Sequence, residues 1–199
     1  MKKLAVLFSI IVMVLVLSIS VACAAPYLSF NYGLVWVDDA DIDDAEIKFD
    51  QGSVYALSAG YEFLKGERVE LEYSNRENDL DEISGNDVSE SINGDDKATS
   101  LMINGIHEFF PKERLTPFLG AGIGIANVEL DVDGIGNSDD DVFAYQLFLG
   151  LACEIYKKTN VDIQYRYFAT EKPDYTFNGV NVESDYSTHN LMVGLRYNF

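Results

Sequence analysis

Along "HNLMVGLRYNF" every second residue, Leu191, Val193, Leu195, Tyr197 and Phe199, is large and apolar, while Asn190, Gly194 and Arg196 between them are polar or small. A period of two marks a strand, whose successive side chains point to opposite faces. The same split recurs in seven further segments, which predicts strands over 27–37, 53–63, 68–75, 98–109, 115–127, 142–156, 161–169 and 187–199. The two faces differ in kind. One parity carries Leu28, Phe30, Tyr32, Leu34 and Trp36 in the first segment and Tyr145, Leu147, Leu149 and Leu151 in the sixth. The other carries Ser29, Asn31 and Gly33, then Ser58 and Gly60, Ser100 and Asn104, and Gly120, Gly122 and Gly124. A water-soluble barrel would turn its apolar face inward and clothe the outside in long Lys and Glu chains. Serines and glycines suit a cramped interior, so the apolar face is expected to turn outward, toward lipid.

An internal repeat ties these segments together. "EFLKGERVELEY", "EFFPKERLTPFL" and "EIYKKTNVDIQY" each pass from an acid through a basic tight turn into an alternating strand, and they begin 46 residues apart at Glu62, Glu108 and Glu154. One more step of 46 falls just past Phe199, as four units of two strands require. Between the units lie long connections at 38–52, 76–97, 128–141 and 170–186. Strands near the 9–11 residues that a tilted membrane crossing needs, joined by short turns at one end and long loops at the other, specify an all-β fold. It is an eight-stranded antiparallel up-and-down transmembrane β-barrel with short periplasmic turns and long extracellular loops.

The N-terminal stretch explains how such a chain would reach a membrane. Lys2 and Lys3 precede an apolar run from Leu4, and Ala22-Cys23-Ala24 offers a small-x-small cleavage site. Residues 1–24 are expected to be a cleaved signal peptide, with Ala22 and Ala24 setting the cut and 25–199 forming the barrel. An uncleaved helix and a lipidated Cys23 are the competing readings.

The residues also carry a resemblance. "TPFLGAGIGIANV" followed by "FAYQLFLGLACEIY", together with "HNLMVGLRYNF" at the end, resembles the small eight-stranded outer-membrane barrels of the opacity-protein and OmpA-like superfamily of Gram-negative bacteria. The resemblance implies a location in the cell outer membrane among its lipid and lipopolysaccharide. It also implies an ending, Gly194, Tyr197 and Phe199, that serves as the assembly signal for the barrel insertion machinery. Met192 departs from that signal, which often has a polar residue there.

Chemistry inside the barrel rests on the inward charges Glu62, Arg68, Glu70, Glu72, Glu108, Glu154, Asp162, Arg166 and Arg196. Charges in a narrow interior are costly unless paired, so the three arginines are expected to bridge several carboxylates. A gated ion path or proton relay is the alternative, although eight strands enclose little more than their own side chains. Catalysis has two histidines to draw on, His107 and His189, both on the outward parity, with Ser187 beside His189 and an orienting acid only near Asp185. Some barrels of this size hydrolyse acyl chains of lipid A with a Ser/His pair, but spacing alone supplies no triad, and the chain reads as no enzyme. No cofactor is expected beyond loosely held divalent cations. "ELDVDGIGNSDDD" sets Glu129, Asp131, Asp133, Asn137 and Asp140 around Gly134 in a loose likeness of a calcium loop.

Charge is sorted along the chain as well. The four long connections hold 25 of the 33 acidic residues, against Lys48, Arg76, Lys97 and Lys172 as their bases. A formal net charge of −19 with no basic stripe excludes nucleic acid as a partner. The function expected is structural or surface display through four acidic loops, for a surface or host ligand that the sequence does not name. Intact-mass measurement of membrane-extracted protein should show an unmodified N-terminus at Ala25. A diacylglycerol mass on Cys23 would overturn that reading.

Overall fold

The computed structural model describes residues 25–199 apart from 38–39, 43–44, 50, 86–87, 91–93, 112, 133–135, 178–179 and 184–185; the leader, with Ala22, Cys23 and Ala24, lies outside the described residues. Eight long strands carry the architecture: β1 Ala25–Val37, β2 Gly52–Leu64, β3 Glu67–Gly85, β4 Gly94–Glu108, β5 Leu115–Val132, β6 Gly136–Tyr156, β7 Thr159–Thr170 and β8 Ser187–Asn198. Each pairs antiparallel with the next, and β8 pairs back onto β1 from Tyr27 opposite Asn198 to Val37 opposite Thr188. The all-β, eight-stranded closed barrel is therefore formed. At the seam the Phe199 amide donates to the Pro26 carbonyl at 2.9 Å.

Burial alternates along most of each membrane-crossing strand. Leu119, Ile123, Leu147, Leu149 and Leu195 point outward and are each more than half exposed. So large an apolar surface is a lipid-facing belt rather than a soluble exterior.

Two features differ from the sequence reading. The stretches 76–97 and 128–141, expected as loops, are largely strand: β3 and β4 stay paired up to Leu80 opposite Gly94, and β5 and β6 up to Val132 opposite Gly136. Beyond the membrane neither face needs to be apolar, so the period-two hydrophobic signal disappears while the backbone ladder continues. Short strands Ala40–Ile42, Ala45–Phe49 and Val88–Glu90 add to this extension through β3, and Asp174–Phe177 pairs with Val180–Glu183 in a separate hairpin.

The lumen, in turn, is not uniformly polar. Ala98, Met102, Ala126, Val142, Ala144 and Phe168 cluster toward the loop end, and Ile106, Phe118, Phe148 and Ala152 toward the turn end. The inward glycines leave no open bore, because a Cβ at Gly120 would fall on the Phe148 ring and one at Gly122 on the Asn104 amide. These glycines let neighbouring side chains lie across the lumen.

Deleting Phe199 removes one backbone bond at the seam and an outward ring that meets Tyr197 edge-on at 5.2 Å. Insertion into membranes, followed by the mobility shift of folded barrel on unheated gels, is expected to slow markedly. Stability of barrel refolded in detergent should fall by only about 1 kcal/mol, the worth of a single hydrogen bond.

Candidate functional site in the barrel lumen

In a ring of eight, β3 faces β7 and β4 faces β8 across the lumen. Two ion pairs span that diameter. Arg166 on β7 grips Glu72 on β3 with two prongs, Nη1 to Oε1 at 2.5 Å and Nη2 to Oε2 at 2.9 Å. Gln146 Nε2 donates to Glu72 Oε1 at 3.1 Å and to Asn104 Oδ1 at 2.7 Å, and the Arg166 guanidinium lies 4.8 Å over the Phe148 ring. Glu72 is 0% and Arg166 1% exposed, so a fork-shaped cation meeting a carboxylate in this dry setting fixes geometry as well as charge.

Nearer the turn end, Glu108 on β4 receives Arg196 Nη1 from β8 at 2.7 Å, and Arg68 Nε stands 3.0 Å from the same oxygen. Glu70 is held by neutral donors, the Tyr27 hydroxyl at 2.8 Å and Asn104 Nδ2 at 3.0 Å. A polar void of about 10 Å³ touches Ser29, Asn31, Glu70 and Asp162. That is about the room one water needs.

Of the nine inward charges expected from the sequence, Arg68, Glu70, Glu72, Glu108, Asp162, Arg166 and Arg196 are buried in the lumen. Glu154 is not in the network. It is exposed at the turn rim, where the β6–β7 register slips between Thr159 and Asn160 and its backbone amide turns to the Arg114 carbonyl. Glu62 is only half-buried beside a second slip between Glu62 and Leu64. The repeat thus marks equivalent strand ends, of which only that at Glu108 reaches an arginine in the interior.

A fourth interior arginine was missed. Arg76, placed in a loop by its acidic surroundings, is 0% exposed on the continued β3. Its guanidinium lies 3.8 Å over Phe168, and Nη1 donates to Ser74 Oγ at 2.9 Å and Ser100 Oγ at 3.3 Å. The run Arg68, Glu70, Glu72, Ser74, Arg76 keeps one parity, which was the available signal. Tyr27, Asn104 and Gln146 were likewise legible only as inward positions.

Of the residues expected as a calcium loop, Glu129 stands opposite Asp139 and Asp131 opposite Asn137, and Asp140 stands opposite Val128, one residue out of phase and so on the other face. Asp133 lies outside the described residues. Among the described residues no group of three or more His, Cys, Asp or Glu is placed to hold a metal. Asn127 Nδ2 instead donates to both Asp139 and Asp141 at 3.1 Å. Of the assembly-signal residues, Gly194 faces inward against Asn31, while Tyr197 and Phe199 face out. The His189 Nδ1 meets the Tyr165 hydroxyl on the outer face, and His107 Nδ1 lies 2.6 Å from Glu67 Oε1, also outside.

Replacing Arg166 with Met leaves the Glu72 carboxylate buried without its cation, and is expected to cost about 3–5 kcal/mol in urea unfolding of the refolded barrel. Adding Glu72→Leu should recover most of that loss. Glu154→Gln, at an exposed site, should change stability by less than about 0.5 kcal/mol.

Comparison with known proteins agrees with this geometry. The outer membrane protein beta-barrel domain family matches residues 5–199. A Rickettsia conorii protein named as a candidate adhesin is 28% identical over 176 residues, covering 77% of this chain and 70% of its own. Neisserial surface protein A has the same fold, with a TM-score of 0.63 at 18% identity over 88% of this chain and 99% of that one. Ail, the attachment invasion locus protein of Yersinia pestis, solved with the heparin analogue sucrose octasulfate, gives 0.52 at 16% identity over 87% and 99%. A family match running through the whole closed ring leaves one conclusion: the chain belongs to the outer membrane protein beta-barrel domain family and resides in the bacterial outer membrane.

Proposed function

We propose that this protein displays its extracellular hairpins for contact with other surfaces, in an adhesion or interaction role. The observation that carries this reading is the continuation of β3–β6 past the apolar belt. Strands of 19, 15, 18 and 21 residues exceed what a membrane crossing needs, against 13 in β1 and β2. Paired strand outside the membrane holds a surface in a fixed shape, which a flexible loop does not. The candidate adhesin of Rickettsia and the attachment protein of Yersinia support the same class of role.

Charge sets the kind of partner. The Yersinia protein was solved with a sulfated, polyanionic ligand. The long connections here hold 25 of the chain's 33 acids, and of their four bases Arg76 is withdrawn into the lumen. Such a surface repels polyanions and attracts cationic proteins or diffusely held divalent ions. The proposal includes no catalysis. A narrow ion path is the reading that the inward charges first suggest, and the two ion pairs across the lumen weigh against it.

Refolded protein should bind an immobilised polylysine surface in a steeply salt-dependent way and ignore heparin. Replacing 79–93 and 130–137 by short turns should clearly weaken that binding while the barrel still folds. Undiminished binding by the shortened barrel would sink the display role, and steady planar-bilayer conductance would restore the channel.

A further inference from the structure

We propose that the contact between Arg76 and Phe168 is a latch in the loop-end lumen, and that its release hands Arg76 to Asp96 and opens a blind vestibule above the Glu72–Arg166 pair. Arg76 on β3 and Phe168 on β7 stand on opposite walls, so their 3.8 Å contact is a third bridge across the barrel, above the two ionic ones. It differs from them in kind. The lower bridges are charge-assisted hydrogen bonds between opposite ions, while this one is a cation on a ring face, helped by two serine hydroxyls.

The arrangement leaves enclosed polar atoms unmatched. Among the described residues, Arg76 Nε and Nη2 have no hydrogen-bond partner within the protein, nor has Asp96 Oδ1, nor either amide atom of Asn78. Buried groups in this state are destabilising, which favours a rearrangement that pairs them. Geometry supplies one. Arg76 stands opposite Ala98 and Asn78 opposite Asp96, which makes Arg76 and Asp96 diagonal neighbours on one inward face. Such positions lie about 7–8 Å apart, within reach of a long side chain. Asp96 is 5% exposed, two residue pairs nearer the mouth than Arg76.

With Arg76 turned toward Asp96, the hydroxyls of Ser74 and Ser100 face the space it vacates, beside the apolar cluster that includes Met102, Val142 and Tyr186. The doubly bonded Glu72–Arg166 pair remains as its floor. The vestibule admits a small polar solute and conducts nothing.

The test is thiol accessibility below the latch. Ala56, 0% exposed and opposite Ser74, is changed to Cys in a Cys153→Ser background, and its modification by a small charged methanethiosulfonate is timed in outer membranes. Phe168→Leu is expected to speed modification about tenfold, the weight of a desolvated cation–π contact. Adding Asp96→Asn should cut most of that gain, and Asp96→Asn alone should slow the basal rate. Gel mobility reports folding, and if Phe168→Leu fails to fold, the Asp96→Asn rate decides by itself. Equal rates across the folded variants overturn the latch. Faster modification together with steady bilayer conductance overturns the blind floor.

Discussion

A bilayer core offers no water to the backbone, and everything else in this protein follows from that. Each unpaired amide or carbonyl there costs several kcal/mol, so the sheet closes on itself, with β8 bonded to β1 along eleven residue pairs. Closing with eight strands makes the ring narrow, and a narrow ring must be filled by its own side chains. Glycines at 120, 122 and 124 and serines at 29, 58, 74 and 100 leave the cross-section to a few long groups. Arginines and glutamates are among those groups, and they are tolerated in the interior because they meet across it.

The lumen is graded along its axis. Toward the turns, two arginines share Glu108, while midway Arg166 and Glu72 form a two-pronged pair braced by Gln146 and Asn104. Toward the loops Arg76 rests on an aromatic ring with donors unmet. Cross-barrel bonding therefore weakens toward the end of the barrel that faces the outside, the same end at which β3–β6 continue beyond the lipid belt.

The long connections here are dominated by carboxylates. A shared barrel fixes where the loops stand and leaves what they meet to the residues they carry.

Period-two alternation, read from Leu191–Phe199 and its seven counterparts, determined strand, face and closure by itself, because lipid outside and a cramped lumen inside impose opposite chemistry on alternate residues. It also placed Arg68, Glu72, Glu108, Arg166 and Arg196 on the inward side. Partner choice was beyond it, since Glu72 and Arg166 are 94 residues apart in the chain and meet only where the ring sets β3 against β7. The extent of β3–β6 was equally hidden, for outside the membrane no apolar face remains to betray a strand, and Arg76 sits there among acidic neighbours that read as loop. Glu154 shows the converse: its parity was inward, yet a slip in register at the rim turned it to water. Sequence pattern thus fixes faces, while the distances across the barrel, and the chemistry that depends on them, come only from the closed ring.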